Sequence, residues 1–253
     1  MLRLLIAFLV LANPAFAAEK VVAGLSQHLV SITANFDGTG IMIFGAVKRE
    51  APAPDAGPLQ VIIAVAGPSS PVTVRRKARA YGIWVNTDSV HVDAAPSFYA
   101  VATTAPFAEV LNQVDDLKYR ISIGNMIRNV GEAKEGLEAT DFSDAVIRVR
   151  RNNGLYSENF GNVRLIDDTL FNTQIALPSN LTEGDYQARI FLTRDQKVVD
   201  EFVTTIAVRK VGMERWIYNL AHERPLVYGI LSLVIAIFAG WSASAIFRVL
   251  RLN

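Results

Sequence analysis

A chain of 253 residues without a cysteine can hold no disulfide, thiolate nucleophile, zinc–thiolate site or iron–sulfur cluster. Part of its 51% hydrophobic content sits at the two ends. Removing those ends turns the formal charge from +1 to −2, because Arg3, Arg248 and Arg251 are the charged side chains outside residues 18–224. The near-neutral remainder, about 200 residues, carries no electrostatic footprint for nucleic acid and can form one large domain or two small ones.

The first segment reads as a signal peptide. Arg3 supplies a minimal positive region, residues 4–12 (LLIAFLVLA) an apolar one, and Asn13-Pro14 breaks the helix. Ala15-Phe16-Ala17 meets the small-x-small rule, so cleavage is expected after Ala17 and residues 1–17 form the leader. The lack of cysteine in the exported part fits a bacterial periplasm.

Residues 18–105 are expected to form a β-sandwich-like domain. Strands at 29–36 and 41–44 flank a hairpin turn at Asp37-Gly38-Thr39-Gly40, and 59–66, 72–74, 82–86 and 98–103 read as further strands. Residues 51–58 (APAPDAGP) form a surface loop, since proline cannot donate to a central ladder. Residues 106–154 change to helical spacing: Phe142, Ala145, Val146 and Val149 fall at i, i+3, i+4 and i+7, and Gly154 stands after the end. With shorter helices at 106–114 and 121–130, this stretch is a helical insert. Strands resume at 163–166, 170–177, 185–193 and 198–209. Leu181-x-x-Gly184-x-Tyr186 has the spacing of a tyrosine corner, so 155–211 reads as an Ig-like β module.

Residues 212–224 form a juxtamembrane amphipathic helix, with Met213, Trp216, Ile217, Leu220 and Ala221 on one face. Pro225 starts the next element. Residues 226–247 contain no charge and are bounded by Arg224 and Arg248, which makes 225–247 a transmembrane helix. At 1.5 Å per residue the charge-free run is about 33 Å long, enough for a hydrocarbon core of about 30 Å. Gly229, Ser232, Ala236, Gly240 and Ala243 recur at three- and four-residue steps, a pattern that lets another helix approach closely, either a second copy or a different membrane protein. Residues 248–253 are then a cytoplasmic tail.

Little in the chain carries chemistry. His28, His91 and His222 occur singly, without a metal-binding spacing, and no nucleophile elbow, phosphate loop or dinucleotide fingerprint is present. The expectation is therefore no enzyme, no cofactor and no metal. The densest charge is Arg75, Arg76, Lys77 and Arg79, and strand alternation puts Arg75, Lys77 and Arg79 on one face with Arg76 opposite. Such a face suits an anion or an acidic partner. The favoured reading, however, is a solvated edge strand guarded by charge. Asp115-Asp116 and Asp167-Asp168 read as turn residues.

Several segments resemble a family of transmembrane proteins of alphaproteobacteria. They are Gly82-Ile-Trp-Val-Asn86, Pro96-Ser-Phe-Tyr-Ala100, Gly154-Leu-Tyr156, Leu170-Phe171, Lys210-Val-Gly212, Ala221-His222, Pro225-Leu-Val-Tyr-Gly229, and Gly240-Trp241 before Phe247-Arg248. The resemblance implies an inner-membrane location with the bulk of the chain in the periplasm; it does not imply a reaction, since the family has no established activity. It also points to exporters of the sulfite or sulfonate type as neighbours.

The expected fold is thus mainly β with a helical insert (β-sandwich/Ig-like modules) plus one C-terminal transmembrane helix. The expected role is an accessory or assembly subunit of an inner-membrane complex. The alternative is a periplasmic module binding a small anion, such as a sulfur oxyanion, through Arg75, Lys77 and Arg79.

Orientation rests on the leader, because Arg209, Lys210, Arg215 and Arg224 precede the span and only Arg248 and Arg251 follow it, a balance that by itself favours the opposite topology. Protease added to intact spheroplasts should digest the exported region, and full protection would refute the periplasmic assignment.

Overall fold

The computed structural model describes residues 19–33, 35–49, 57–128 and 139–250. The expected leader, most of the 51–58 loop and the last three residues lie outside that range. In chain order the elements are β1 (Lys20–Leu25), β2 (Leu29–Ile32), β3 (Thr39–Lys48), β4 (Gln60–Ala66), β5 (Ser69–Ala80), β6 (Ile83–Pro96) and β7 (Tyr99–Thr103). Helices α1 (Phe107–Val110), α2 (Gln113–Tyr119), α3 (Ile123–Met126) and α4 (Ala139–Asn152) follow. The chain then runs through β8 (Tyr156–Asn159), β9 (Arg164–Ile166), β10 (Leu170–Leu177), β11 (Gly184–Arg194) and β12 (Lys197–Lys210) to α5 (Met213–Glu223) and α6 (Pro225–Leu250). By its contacts it divides into two units, 1–30 with 37–208 and 31–36 with 209–253.

The first unit is built on two sheets, of order β1-β3-β10-β9 and β2-β12-β11-β4-β7-β8, with β5 and β6 paired as a separate ribbon. The smaller sheet follows period-two alternation: Ile41, Ile43 and Val47 of β3 are buried while Met42 and Phe44 are exposed. Gly45 sits where the Phe171 ring crosses β3, and a Cβ there would lie 2.4 Å from the ring and 2.6 Å from the Val22 carbonyl.

Strand β4 is different. Residues Val61 to Ala66 are all buried, so both of its faces are covered. On one side the two sheets pack, β1 against β11 and β10 against β7, and Phe98 meets Tyr186 at 5.9 Å. On the other side lies the helical insert, where Ile62 pairs with Phe191, whose ring meets Tyr119 of α2 at 5.8 Å.

These pairings correct two expectations. Residues 18–105 and 155–211 do not form separate modules, because β3 pairs with β10, and β4 lies between β11 and β7. An apolar strand without a solvent face needs a ladder on each edge and a layer on each side, and neither half of the chain supplies all four. Nor do 29–36 and 41–44 form a hairpin. β3 pairs with β1 and β10, whereas β2 is hydrogen-bonded to β12 in the other sheet. The Asp37–Gly40 stretch therefore connects two sheets.

Two buried phenols fasten the insert and the ribbon. Burial pushes Tyr99 and Tyr156 up, Tyr156 to about 12, so both remain donors, to the carbonyls of Ile121 and Pro96 respectively. Asp115 and Asp116, expected in a turn, stand in the first turn of α2, where acids suit the helix dipole. The Asp116 carboxylate accepts from the Ile121 and Ser122 backbone N–H groups and from Asn125 Nδ2, and Asp115 accepts from the Val198 N–H. Asp167 and Asp168, at φ 50° and 47°, make the turn between β9 and β10 as expected. In α4, Phe142 and Val146 are buried but Val149 is exposed, so the apolar face is shorter than the spacing suggests. The tyrosine-corner spacing is realised as a hydrogen bond: buried Tyr186 donates from its hydroxyl to the Thr182 carbonyl at 2.8 Å.

The second unit contains α5 and α6. Gly212, at φ 128°, marks the break before α5, and only Arg224 separates α5 from α6. Trp216 and Ile217 are exposed, and the His222 ring stacks on Tyr218 at 4.0 Å. Helix α6 has a 20-residue apolar stretch, Pro225–Ser244, of mean hydropathy 2.0, long and apolar enough to cross a membrane.

Glu19 ties three distant segments of the first unit. Its side chain is 2% exposed and receives Arg49 Nε at 2.7 Å and Arg194 Nη2 at 2.8 Å. Burial disfavours the ionised carboxylate, but the hydrogen bonds and charges of Arg194 and Arg49 outweigh it, so the group titrates below its ordinary 4.5. A depressed folded pKa stabilises the fold fully above the unfolded value, and that stabilisation is lost as pH falls from 4.5 through the folded value. Glu19→Gln should cost on the order of 3 kcal/mol at neutral pH. In denaturant melts its deficit relative to the parent should shrink below pH 4.5, and a pH-independent deficit would contradict the assignment.

Candidate interaction surfaces

The β5–β6 ribbon is largely exposed to solvent. The strands pair antiparallel from Ser69↔Pro96 to Ala80↔Ile83. Tyr81 and Gly82, at φ 51° and 84°, form the connecting turn. Two successive left-handed residues give the reversal whose twist matches a hairpin, and glycine holds that geometry without strain. The base is fixed: Val90, Val92 and Ala95 are buried, and α4 packs on both strands. Arg150 donates to the Ser97 carbonyl at 3.0 Å, just beyond the end of β6. Past Val90 no residue of either strand is buried.

Cross-strand register assigns the side chains to faces. Thr73, Arg75, Lys77 and Arg79 lie opposite His91, Ser89, Asn86 and Trp84. Val74, Arg76, Ala78 and Ala80 lie opposite Val90, Asp88, Val85 and Ile83 on the other face. A bulge after Arg76 takes Thr87 out of the ladder and preserves this division. Arg75, Lys77 and Arg79 therefore share one face, with Arg76 opposite. None of the four is in an ion pair among the described residues. Sequence reasoning missed the tip, where Tyr81, Ile83 and Trp84 are 106%, 64% and 69% exposed. Reading 72–74 and 82–86 as unrelated short strands concealed that the cations lie inside one long hairpin. The signal was the Tyr-Gly pair between two alternating runs.

A second surface is the outer face of the smaller sheet. Register sets Val22, Ala46, Leu170 and Ile166 in one row across β1, β3, β10 and β9. Phe44 stands in the next row between Gly24 and Asn172, with Met42 beyond it. Val22, Met42, Phe44, Ile166 and Leu170 are all exposed. Alternation marks these positions as outward, but only the register across four strands shows that they adjoin.

Along α6 the small and bulky residues separate. At 100° per residue Gly229, Ser232, Ala236, Gly240 and Ala243 fall within an arc of about 80°. Ile230, Val234, Ile237, Phe238 and Trp241 cluster roughly 150° away. The Ser232 hydroxyl donates to the Tyr228 carbonyl of its own helix at 2.9 Å, and apart from the adjoining residues and the helix's own backbone no atom of the described residues lies within 4 Å of a Cβ built on Gly229 or Gly240.

Among the described residues no three His, Asp or Glu side chains converge as metal ligands. His28, His91 and His222 stand apart, in the β1–β2 connection, in β6 and in α5.

Residues 20–249 match the family described as Putative transmembrane protein (Alph_Pro_TM). No curated protein and no solved structure matches the chain.

The turn geometry makes a local prediction. Gly82→Ala forces an L side chain into a left-handed conformation costing about 1–2 kcal/mol. Hydrogen exchange should accelerate in residues 75–89 while β4 and β11 keep their protection, and unchanged exchange in the ribbon would contradict the turn assignment.

Proposed function

Because the chain belongs to the Alph_Pro_TM family of transmembrane proteins, we propose that it is a single-pass protein of the bacterial inner membrane with its bulk in the periplasm. There it serves as a non-enzymatic accessory or assembly subunit of a membrane complex, a transport complex included. The leader-like first segment supports the orientation, and α6 supplies the anchor.

The observation that carries the assembly role is the outer face of the β1-β3-β10-β9 sheet. Val22, Phe44, Met42, Leu170 and Ile166 form a contiguous exposed apolar surface on four hydrogen-bonded strands. Isolated surface apolar residues are ordinary, but a contiguous patch is rare on a protein that works alone. The small-residue face of α6 offers a matching contact within the bilayer, for a second copy or another membrane protein.

The alternative, a module for a small oxyanion, draws on Arg75, Lys77 and Arg79, which are in no ion pair among the described residues. Alternate positions on a strand are about 7 Å apart, so these three cations spread over about 13 Å. That spread is too wide for one small anion to sit at all three.

Copurification in mild detergent tests the assembly reading. The parent chain should migrate with a partner subunit or a second copy. Val22→Lys with Leu170→Lys should release it without lowering the melting temperature, since both sites are solvent-exposed. A chain that is always monomeric and alone would defeat the proposal.

A further inference from the structure

The tip of the β5–β6 ribbon, we propose, is a second membrane contact that enters the headgroup region of an anionic phospholipid bilayer. Tyr81, Ile83 and Trp84 occupy the interface, Arg79 stands level with Trp84 and reaches the lipid phosphates, and Lys77, Arg76 and Arg75 follow behind it toward the aqueous side. The inference rests on the reading above for one premise, that α6 holds the first unit beside a bilayer.

What separates this occupant from a protein partner is how the side chains are sorted. A ribbon that docks sideways on a protein presents one face and sorts its residues by face. Here they are sorted by distance from the tip. Ile83 and Trp84 stand on opposite faces yet both lie at the end, next to Tyr81. The cations also occupy both faces, Arg76 on one and Arg75, Lys77 and Arg79 on the other; Arg79 is level with Trp84 and the other three are set back from the end. Sorting by depth suits an element that enters a layered medium end-on. Aromatic rings with a polar edge favour the membrane interface, and long basic side chains reach the phosphates from just behind it.

Charge and reach agree with this placement. Residues 75–89 carry four cations against the single acid Asp88, a net of +3. From the Val74↔Val90 pair to the turn the ribbon projects about 20 Å. The tip can therefore meet a surface while the first unit stays clear of it. Both outer edges of the two-stranded ribbon carry unpaired backbone groups, which are too costly to bury in hydrocarbon. Insertion accordingly stops at the headgroups. A free two-stranded ribbon is marginal in water, and the interface would order it.

The absence of cysteine permits a direct test on the full chain. Tyr81→Cys, labelled with an environment-sensitive fluorophore, is reconstituted into vesicles of phosphatidylcholine with or without phosphatidylglycerol. Ser179→Cys, on an exposed loop of the first unit, is the reference. On anionic vesicles the label at 81 should shift to the blue and be quenched by brominated acyl chains, while the label at 179 should stay water-like. Arg79→Gln and Lys77→Gln should each weaken insertion about fivefold, and Arg75→Gln less. High salt should weaken it as well.

A water-like tip on anionic vesicles overturns the proposal, as does an equal shift on neutral vesicles or an equal shift at 179. A tip that stays in water but crosslinks to an acidic protein in cells assigns the ribbon to a protein partner instead. The assay contains only this chain and lipid. A failed copurification therefore does not touch it, and failure here leaves the assembly reading standing.

Discussion

Everything in the first unit is arranged around a strand that has no side facing water. Val61 to Ala66 of β4 is apolar throughout and buried throughout, so its backbone must be paired on both edges and its side chains covered on both faces. The edges are taken by β7, which follows in the same half of the chain, and by β11, which comes more than a hundred residues later. The faces are taken by the smaller sheet and by the helical insert. Once β4 is placed, β11 carries β12 with it, β12 carries β2, and β10 returns to close the smaller sheet on β3. The insert follows from the same need: α2 brings Tyr119 onto Phe191, and the Tyr99 hydroxyl fixes the chain at Ile121.

Polar groups are placed so as to leave that arrangement intact. Tyr99, Tyr156 and Tyr186 are deeply buried, yet each hydroxyl has a backbone carbonyl to bond. Glu19 is the boldest case, a buried carboxylate held ionised by two guanidinium groups from opposite ends of the sequence. Polar chemistry here pins loops and strand ends to a β framework. The surfaces left open, an apolar sheet face and an aromatic-tipped cationic ribbon, are the features for which the framework has no internal use.

Local signals were legible in proportion to how local their cause is. Asp167-Asp168 as a turn, Gly154 closing α4, Tyr186 bonding back to Thr182 and the charge-free span of α6 each depend on neighbours within a few residues, and each emerges from spacing alone. Pairing partners do not. Asp37-Gly38 has the composition of a hairpin turn, but β2 leaves for the larger sheet because β3 is claimed by β1 and β10. The ribbon was half visible. Alternation correctly separates Arg76 from Arg75, Lys77 and Arg79, whereas the polar character of 75–80 hid the continuity of β5 through it. The apolar sheet face escapes sequence inspection entirely, since Val22, Phe44 and Leu170 meet only after three strands have found their register.

The clamp at Glu19 has a consequence for how the chain reaches its folded state. A polypeptide made N-terminus first delivers β1 and β3 at the start. Yet Glu19 bonds Arg194, 175 positions later, and the Val21 N–H bonds Asp200, 179 positions later. The first strand can pair with β3 early, but these two clamps wait until β11 and β12 have been made, shortly before α6. Loop closure over such separations is slow. In the interval the half-delivered chain presents open strand edges and the apolar residues of β4 to its surroundings. A chaperone that holds extended β segments would therefore act on this chain before its fold is complete, in the interval before β11 and β12 follow.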